Sequence, residues 1–314
     1  MKRTKNRNRF VTGKNGQLMV RSNKAFLFLI PPLAVFLAFV FYPLIMVLRT
    51  AFYEKYVYIV SKGYGFGLDS FRHVLNDSVF WIAVKNTGIL MLVALPATVI
   101  LSLIIALMIN SIKKLQGLFQ TLYFLPYVTS TIAVGTAFYC LFHTDVGYLN
   151  WFLGLFGIDK IGWLTDPSKV IWALTIFCIW NGLAFKVILF LAGLQKINPQ
   201  VYKAAKVDGA SPMKTLFRIT LPLLSPTIWM VVIVSVIYVA RTYNEVYVLF
   251  TSVQSPMAGS GNCAITLAYY IYYEFFVRGE VNYAAAAAVM FLIVIMALTV
   301  IQRVISRKFV HYVG

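Results

Sequence analysis

The chain has 314 residues, of which 60% are hydrophobic and 12% charged, with a formal net charge of +18. A soluble domain of this length could not keep so much apolar surface from water, so a large water-soluble helical protein is excluded. The basic excess alone would suggest nucleic acid, but its placement along the chain, described below, accounts for it without any nucleic-acid partner.

Residues 1–24 are basic and polar and read as a cytoplasmic tail. Six apolar runs follow: Ala25–Leu48, Ile82–Ile109, Thr121–Phe142, Val170–Leu194, Leu223–Ala240 and Ala284–Val304. Each is near the roughly 20 residues that cross a bilayer. The fifth has room to continue to about Phe250. The runs are continuous rather than alternating, which favours helices over a β-barrel. The first has a longer apolar core than a cleavable signal, contains Pro31-Pro32 and ends in Tyr42-Pro43, so it is expected to be a retained anchor. The fold class is therefore an all-α polytopic membrane protein of about six transmembrane helices. Its transmembrane domain covers 25–304, with a short C-tail at 305–314.

Charge sets the expected orientation. With the N-terminus inside, the N-tail, the 2–3 link, the 4–5 loop and the C-tail carry 18 Lys and Arg against one acid, Asp208. The opposite side balances nine bases with nine acids, and Lys186 lies within the fourth run. This is the positive-inside pattern, with both termini cytoplasmic and the N-terminal cluster placed to meet anionic lipid headgroups.

Among the connections, 63–67 reads Gly-Tyr-Gly-Phe-Gly and is expected to be a loop. It neither follows a strand nor opens a helix, so it is not a nucleotide fingerprint. The segment 143–169 is rich in aromatic residues suited to the headgroup level. Residues 252–262 read as loop. The tyrosine-dense stretch 264–277 is too short to span and reads as an interfacial or re-entrant helix over the bundle's outer mouth.

The 4–5 loop, residues 195–222, is the most informative part. Asn198-Pro199 is a helix start, followed by a short helix over 200–207 in which Ala204 and Ala205 present a flat face to a partner. Gly209 is placed to end it in a left-handed conformation. Ser211-Pro212 starts a second helix leading through Ile219 and Leu221 to Pro222. The result is a helix–turn–helix elbow. On the residues alone it is as readily an ordinary connector as a docking surface.

Polar groups inside spans are costly, so each is a candidate for a solute path. Asn181 and Lys186 lie in the fourth run, and Arg241, Tyr243, Asn244 and Glu245 follow the fifth. Arg241 and Glu245 are four apart and able to pair on one helix face. The second group reads equally as a sugar-binding cluster or as residues of the membrane boundary, and Lys186 reads more readily as a snorkelling side chain. Trp180 suits packing as well as stacking on a sugar. Cys140, Cys178 and Cys263 are scattered, and the three histidines lie outside the spans, so neither a metal centre nor catalysis is expected. The chain holds no phosphate-loop motif: Gly13-Lys14 lacks the preceding glycine.

Together the elements Tyr202-Lys203-Ala204-Ala205, Asp208-Gly209-Ala210 and Ile219-Thr220-Leu221-Pro222 resemble the Glu-Ala-Ala…Gly loop of bacterial ABC-importer permeases. The longer run from Leu191-Ala192-Gly193-Leu194-Gln195 looks like the carbohydrate-uptake branch, the maltose and glycerol-phosphate type. Asn86-Thr87, Leu125-Pro126, Gly147…Asn150 and Thr266…Tyr270-Ile271-Tyr272 extend the similarity over most of the chain. The resemblance implies a permease subunit in the bacterial cytoplasmic membrane that forms half of a path for a sugar or oligosaccharide. It implies a second homologous permease, two ATP-binding cassette subunits that use the ATP, and an extracytoplasmic solute-binding protein. The chain itself would bind no cofactor and would not be an enzyme. Tyr202, Lys203, Ala204, Ala205, Asp208, Gly209, Ala210, Ile219, Leu221 and Pro222 would couple it to the ATPase. Two departures stand out: Lys203 replaces the motif's usual Glu, and the Gly-Gly-Pro usual after the fifth span is absent. An ion-coupled secondary carrier is the alternative reading, and a membrane anchor without a solute path a third.

Overall fold

An apolar stretch in lipid has no water to satisfy its backbone, so it closes its hydrogen bonds within helices. In a computed structural model, residues 11–12, 18–19, 22–60, 62–112, 114–251 and 257–309 are described, with backbone alone at 11–12, 18–19, 22–27, 126 and 307–309. Most of the basic N-tail, Lys113, residues 252–256 of the stretch expected to be loop, and residues beyond 309, with His311, lie outside the described residues.

In chain order, β1 (Val11–Thr12) pairs antiparallel with β2 (Leu18–Met19). The first span, α1 (Phe28–Ala51), passes through a π-helical turn at Leu37–Phe41. A hairpin of β3 (Lys55–Val57) and β4 (Lys62–Tyr64) and the short α2 (Asp69–Asn76) follow. The 63–67 segment is thus partly a paired strand rather than all loop. The second span is α3 (Ser78–Ser111). Then come α4 (Gln116–Val128), α5 (Thr131–Phe142) and α6 (Tyr148–Gly154). The long α7 (Val170–Gln195), the short α8 (Pro199–Val207) and α9 (Pro212–Ala240) flank the elbow. The chain ends through α10 (Asn244–Phe250), α11 (Leu267–Tyr272) and α12 (Val281–Phe309).

Five helices among the described residues are long and apolar enough to cross a membrane. They match five of the six expected runs. The third run is not one helix: Thr129 and Ser130 take extended conformations (ψ 145° and 129°) and separate α4 from α5. The Thr129 hydroxyl donates to the Leu125 carbonyl at 3.1 Å, satisfying one carbonyl that the break leaves open. The expected continuation of the fifth span to Phe250 is also interrupted, by a turn over 241–243 between α9 and α10.

Two cores result. One, around Phe80, Leu90, Phe177, Leu249, Ile265, Tyr269 and Tyr270, lies toward the β3–β4 hairpin. The other joins α3, α7 and α9 near the elbow through Ala106, Phe190, Leu191, Leu194, Leu224 and Val231. Gly193 permits this second contact. A Cβ there would sit 2.5 Å from Thr227 Oγ1 and 2.8 Å from Leu224 Cδ1, so α7 and α9 approach as only glycine allows.

The hairpin end is cross-linked by buried polar groups. Asn86 Nδ2 donates to the Cys263 and Ile265 carbonyls, both at 2.8 Å, and the Leu267 amide donates to Thr87 Oγ1 at 3.0 Å. Tyr270 donates to Asp77 Oδ2 at 2.8 Å. Thr266 caps α11 and bonds the Thr242 carbonyl at 2.5 Å. The stretch read as a re-entrant or interfacial helix is therefore α11 with a π-helical turn at Tyr273–Val277, fastened to the start of α3. Asn150 plays the same part locally. Its Nδ2 donates to Thr144 and Ile161 carbonyls, and its Oδ1 accepts from Trp163 Nε1.

Candidate functional site

The elbow is built by its caps. Asn198 Oδ1 accepts from the Gln200 amide at 2.9 Å, and Pro199 supplies the preset first turn of α8. At the other end the Ala210 amide donates to Ala205 O at 2.9 Å and Gly209 takes φ +69°, a left-handed terminus closed by a bond spanning five residues. Ser211 Oγ accepts from the Lys214 amide at 3.3 Å and starts α9, which passes a π-helical turn at Leu216–Thr220. Tyr202 Oη lies 3.3 Å from Thr220 Oγ1 and ties α8 back to that turn.

The expected flat alanine face is corrected here. Ala204 is exposed, but Ala205 is buried, 6% exposed, and faces the protein rather than a partner. Successive residues of a helix are turned by about 100°, and here that rotation carries Ala205 off the exposed face on which Ala204 lies. Lys203 and Asp208 are exposed, Ala210, Ile219, Leu221 and Pro222 are half-buried, and the elbow surface also presents Val207, Met213 and Phe217.

A second feature lies within the bundle. A cavity of about 390 Å³ is lined by Tyr127, Thr131, Asn181, Gly182, Phe185, Lys186, Val234, Ile237, Tyr238, Arg241, Asn244 and Glu245. Five of the six expected path residues meet here, from α7 on one side and the α9–α10 junction on the other. Tyr243 does not line it. Its ring packs on Tyr269 at 5.7 Å and Tyr272 at 4.8 Å, and it borders a separate apolar groove with Met46, Ala268 and Phe276.

The helical pairing of Arg241 with Glu245 does not form. The chain leaves the helix at Arg241 (φ −93°, ψ 9°) and Tyr243 (φ −125°, ψ −53°), so the four-residue spacing no longer stacks the two side chains. Glu245 is buried, and its Oε1 instead accepts from Tyr238 Oη at 3.1 Å and Asn181 Nδ2 at 3.5 Å. Asn181 Nδ2 also donates to Tyr238 Oη at 3.1 Å. Lys186 does not snorkel. It is 2% exposed, and its Nζ sits 5.2 Å from the centre of the Tyr238 ring, a cation–π contact.

Tyr238, Tyr127 and Thr131 escaped the sequence reading. Tyr238 sits seven residues before Glu245, two turns along a continuous helix, but that spacing gained meaning only once the turn brought Glu245 back toward α7. Trp180 packs on Phe138 at 5.0 Å and lines a different, smaller cavity. Cys178 is buried and Cys140 exposed, and no group of metal-ligating side chains is found among the described residues.

The bundle, its elbow and a polar cavity between helices define a membrane transport component. The chain belongs to the family of binding-protein-dependent transport system inner membrane components, whose model matches residues 89–311. It is 34% identical to the lactose transport system permease LacF of Rhizobium radiobacter, over 86% of this chain and 89% of that one. It is 31% identical to the arabinooligosaccharides transport system permease AraP of Bacillus subtilis, over 90% and 88% of the two chains. Among solved structures, a chain of a bacterial ABC transporter that imports the acidic polysaccharide alginate superposes with a TM-score of 0.76 at 25% identity, covering 93% of this chain and 97% of that one. The chain is thus an ABC-importer permease of a multi-pass inner-membrane family, a transport component and not an enzyme. Membership sets the ion-coupled carrier and the pathless anchor aside.

Proposed function

We propose that the chain forms half of the translocation path of an ATP-driven importer for a sugar or oligosaccharide. The relatives named for lactose and arabinooligosaccharides support the solute class. A second homologous permease would complete the path, an extracytoplasmic binding protein would deliver the solute, and two ATP-binding cassette subunits would burn the ATP. Support for the delivery step comes from a similar alginate transporter solved with a pentasaccharide-bound periplasmic protein. The apolar side chains of α1 from Phe28 to Leu48 are open to their surroundings, a surface that lipid or the second permease would cover. The charge asymmetry supports cytoplasmic termini and a cytoplasmic elbow. In this arrangement 1–24, 25–304 and 305–314 are tail, permease domain and tail, and α4 with α5 completes the sixth crossing.

The observation that carries the mechanism is the elbow itself. A capped helix, α8, is held to α9 through Tyr202 and Thr220, and α9 packs on α7 through Gly193 and Leu224. ATP binding would close the ATPase dimer and push the exposed face of α8, with Lys203, Ala204 and Asp208. Gly209 and Ala210 keep the hinge, Ala205 seats the helix, and Ile219, Leu221 and Pro222 pass the displacement into α9. The cavity residues Asn181, Lys186, Arg241, Asn244 and Glu245 lie between the two helices so moved, where hydroxyls of a sugar meet donors and acceptors. Alternation between two bundle arrangements would then expose that cavity to each side in turn.

Cross-linking from Val207, 87% exposed, tests the reading. Photo-cross-linker at Val207 is expected to capture an ATP-binding subunit in whole cells, while the same probe on the hairpin end at Ile59 captures none. Capture of no ATPase from Val207 would refute the coupling role.

A further inference from the structure

The cavity described above carries an unusual charge pattern. It holds two cations, Lys186 and Arg241, against one carboxylate, Glu245. Lys186 is almost wholly buried within a membrane span, yet no carboxylate lies within 4.0 Å of it among the described residues. Glu245 faces the same space but is engaged by Tyr238 and Asn181. Arg241, exposed at the mouth of the turn, likewise has no ion pair among the described residues. A buried ammonium that contacts a tyrosine ring and has no carboxylate at ion-pair distance among the described residues is costly, and an ionisable residue in a span points to a binding role. The site also leaves room at that charge. A Cβ on Gly182 would come 3.0 Å from Lys186 Nζ, so the glycine keeps the approach to the ammonium open.

We propose that this cavity takes a solute bearing an anionic group, a carboxylate or phosphate on a sugar, with Lys186 as its principal partner and Arg241 completing the clamp. Glu245 and Asn181 then meet the solute's neutral hydroxyls, as acceptor and donor. The inference rests on the cavity being part of the solute path and adds to it the charge of the solute. A purely neutral sugar would leave Lys186 uncompensated in both the empty and the loaded state. An anionic sugar would neutralise it in the loaded state, so the pairing favours retention and release requires the site to open to water, which solvates both charges.

The test uses the assembled transporter purified through a tag on this chain, in lipid nanodiscs, without its binding protein. Saturation-transfer NMR, which reads weak binding, is applied to trigalacturonate, to the neutral galactotriose of equal length and to glucose 6-phosphate. Trigalacturonate or glucose 6-phosphate is expected to bind at least about tenfold more tightly than the neutral trisaccharide, and which of the two does so separates carboxylate from phosphate. Lys186→Met is expected to abolish that preference, Lys186→Arg to retain it within about threefold, and Gly182→Ala to weaken anion binding while leaving assembly intact. Equal binding of acidic and neutral sugars, with Lys186→Met changing neither, overturns the anionic solute while a neutral signal lost in Asn181→Leu still upholds the path. An absence of Asn181-dependent signal from every sugar overturns the path reading itself and this inference with it.

Discussion

The two ends of this bundle are held by different physics. At the hairpin end, side chains far apart in sequence bond across helices: Asn86 and Thr87 of α3 to the turn before α11 and to its first amide, Tyr270 to Asp77, Asn282 to Ser70 at 3.0 Å and to the Glu54 carbonyl at 3.1 Å. At the elbow end, polar contacts are local. They include the caps of α8 and α9 and the Tyr202–Thr220 contact, and α3, α7 and α9 meet there through an apolar core. Directional bonds between distant segments fix a single arrangement, whereas apolar faces slide at smaller cost. One end is therefore the more firmly cross-linked and the other is held mainly by apolar packing, as the proposed lever role would require.

The sharpest way to break this comparison is at Asn86. Asn86→Leu strands two buried carbonyls, each costing on the order of 1–3 kcal/mol. A large fall in the thermal midpoint of the purified permease is expected, with no comparable fall for Asn198→Ala, an exposed cap worth about 1 kcal/mol. Similar losses for both would show that the two ends are equally braced.

Next in size is the hinge. Gly209 adopts φ +69°, which proline cannot reach, so Gly209→Pro should cost about 3 kcal/mol locally and uncouple ATP hydrolysis from uptake in an inserted, assembled transporter. Gly209→Ala, strained by about 1–2 kcal/mol, should retain partial uptake. Normal ATP-driven uptake by Gly209→Pro would remove the lever role. Gly193→Val should be felt at the α7–α9 contact, with overpacking of about 1–3 kcal/mol read as a lowered thermal midpoint and reduced uptake together. Tyr202→Phe removes one 3.3 Å bond and should lower coupled uptake only modestly, by the weight of about 0.5–1.5 kcal/mol.

The smallest effect is electrostatic and lies in the loop before α7. The Ser168 amide and hydroxyl both donate to Asp166 and hold its carboxyl below the usual value. The stability from those bonds is complete above the ordinary carboxylate pKa and is lost as pH falls through the lowered one. Asp166 is partly open to solvent, which screens the effect, and hydrogen exchange at the start of α7 is the fitting measure. Protection there should fall on acidification in the native chain and show no such acid dependence in Asp166→Asn.

Much of this was legible in the residues. Span identity follows from apolar length, because lipid leaves the backbone no partner outside its own helix, and five of the expected runs stand as single helices. The elbow was equally legible, because Asn198-Pro199, Gly209 and Ser211-Pro212 act through local bonds that need no tertiary partner. The break at Thr129–Ser130 was not, since a threonine and a serine in an apolar run are compatible with a continuous helix. Nor was the inward turn of Ala205.

What the sequence determined by itself was the set of membrane helices, the capped turn between α7 and α9, and the side of the membrane that its basic residues favour. These are matters of local periodicity and transfer free energy, each written in a short window. The tertiary structure alone decided which polar residues share a cavity. It parted Arg241 from Glu245, sent Tyr243 into an aromatic cluster and set Tyr238 between Lys186 and Glu245. The turn over 241–243 accounts for Arg241, Tyr243 and Glu245, because leaving the helix there re-aims the side chains at and beyond it, whereas the Lys186–Tyr238 contact depends on how α9 packs on α7, about fifty residues earlier.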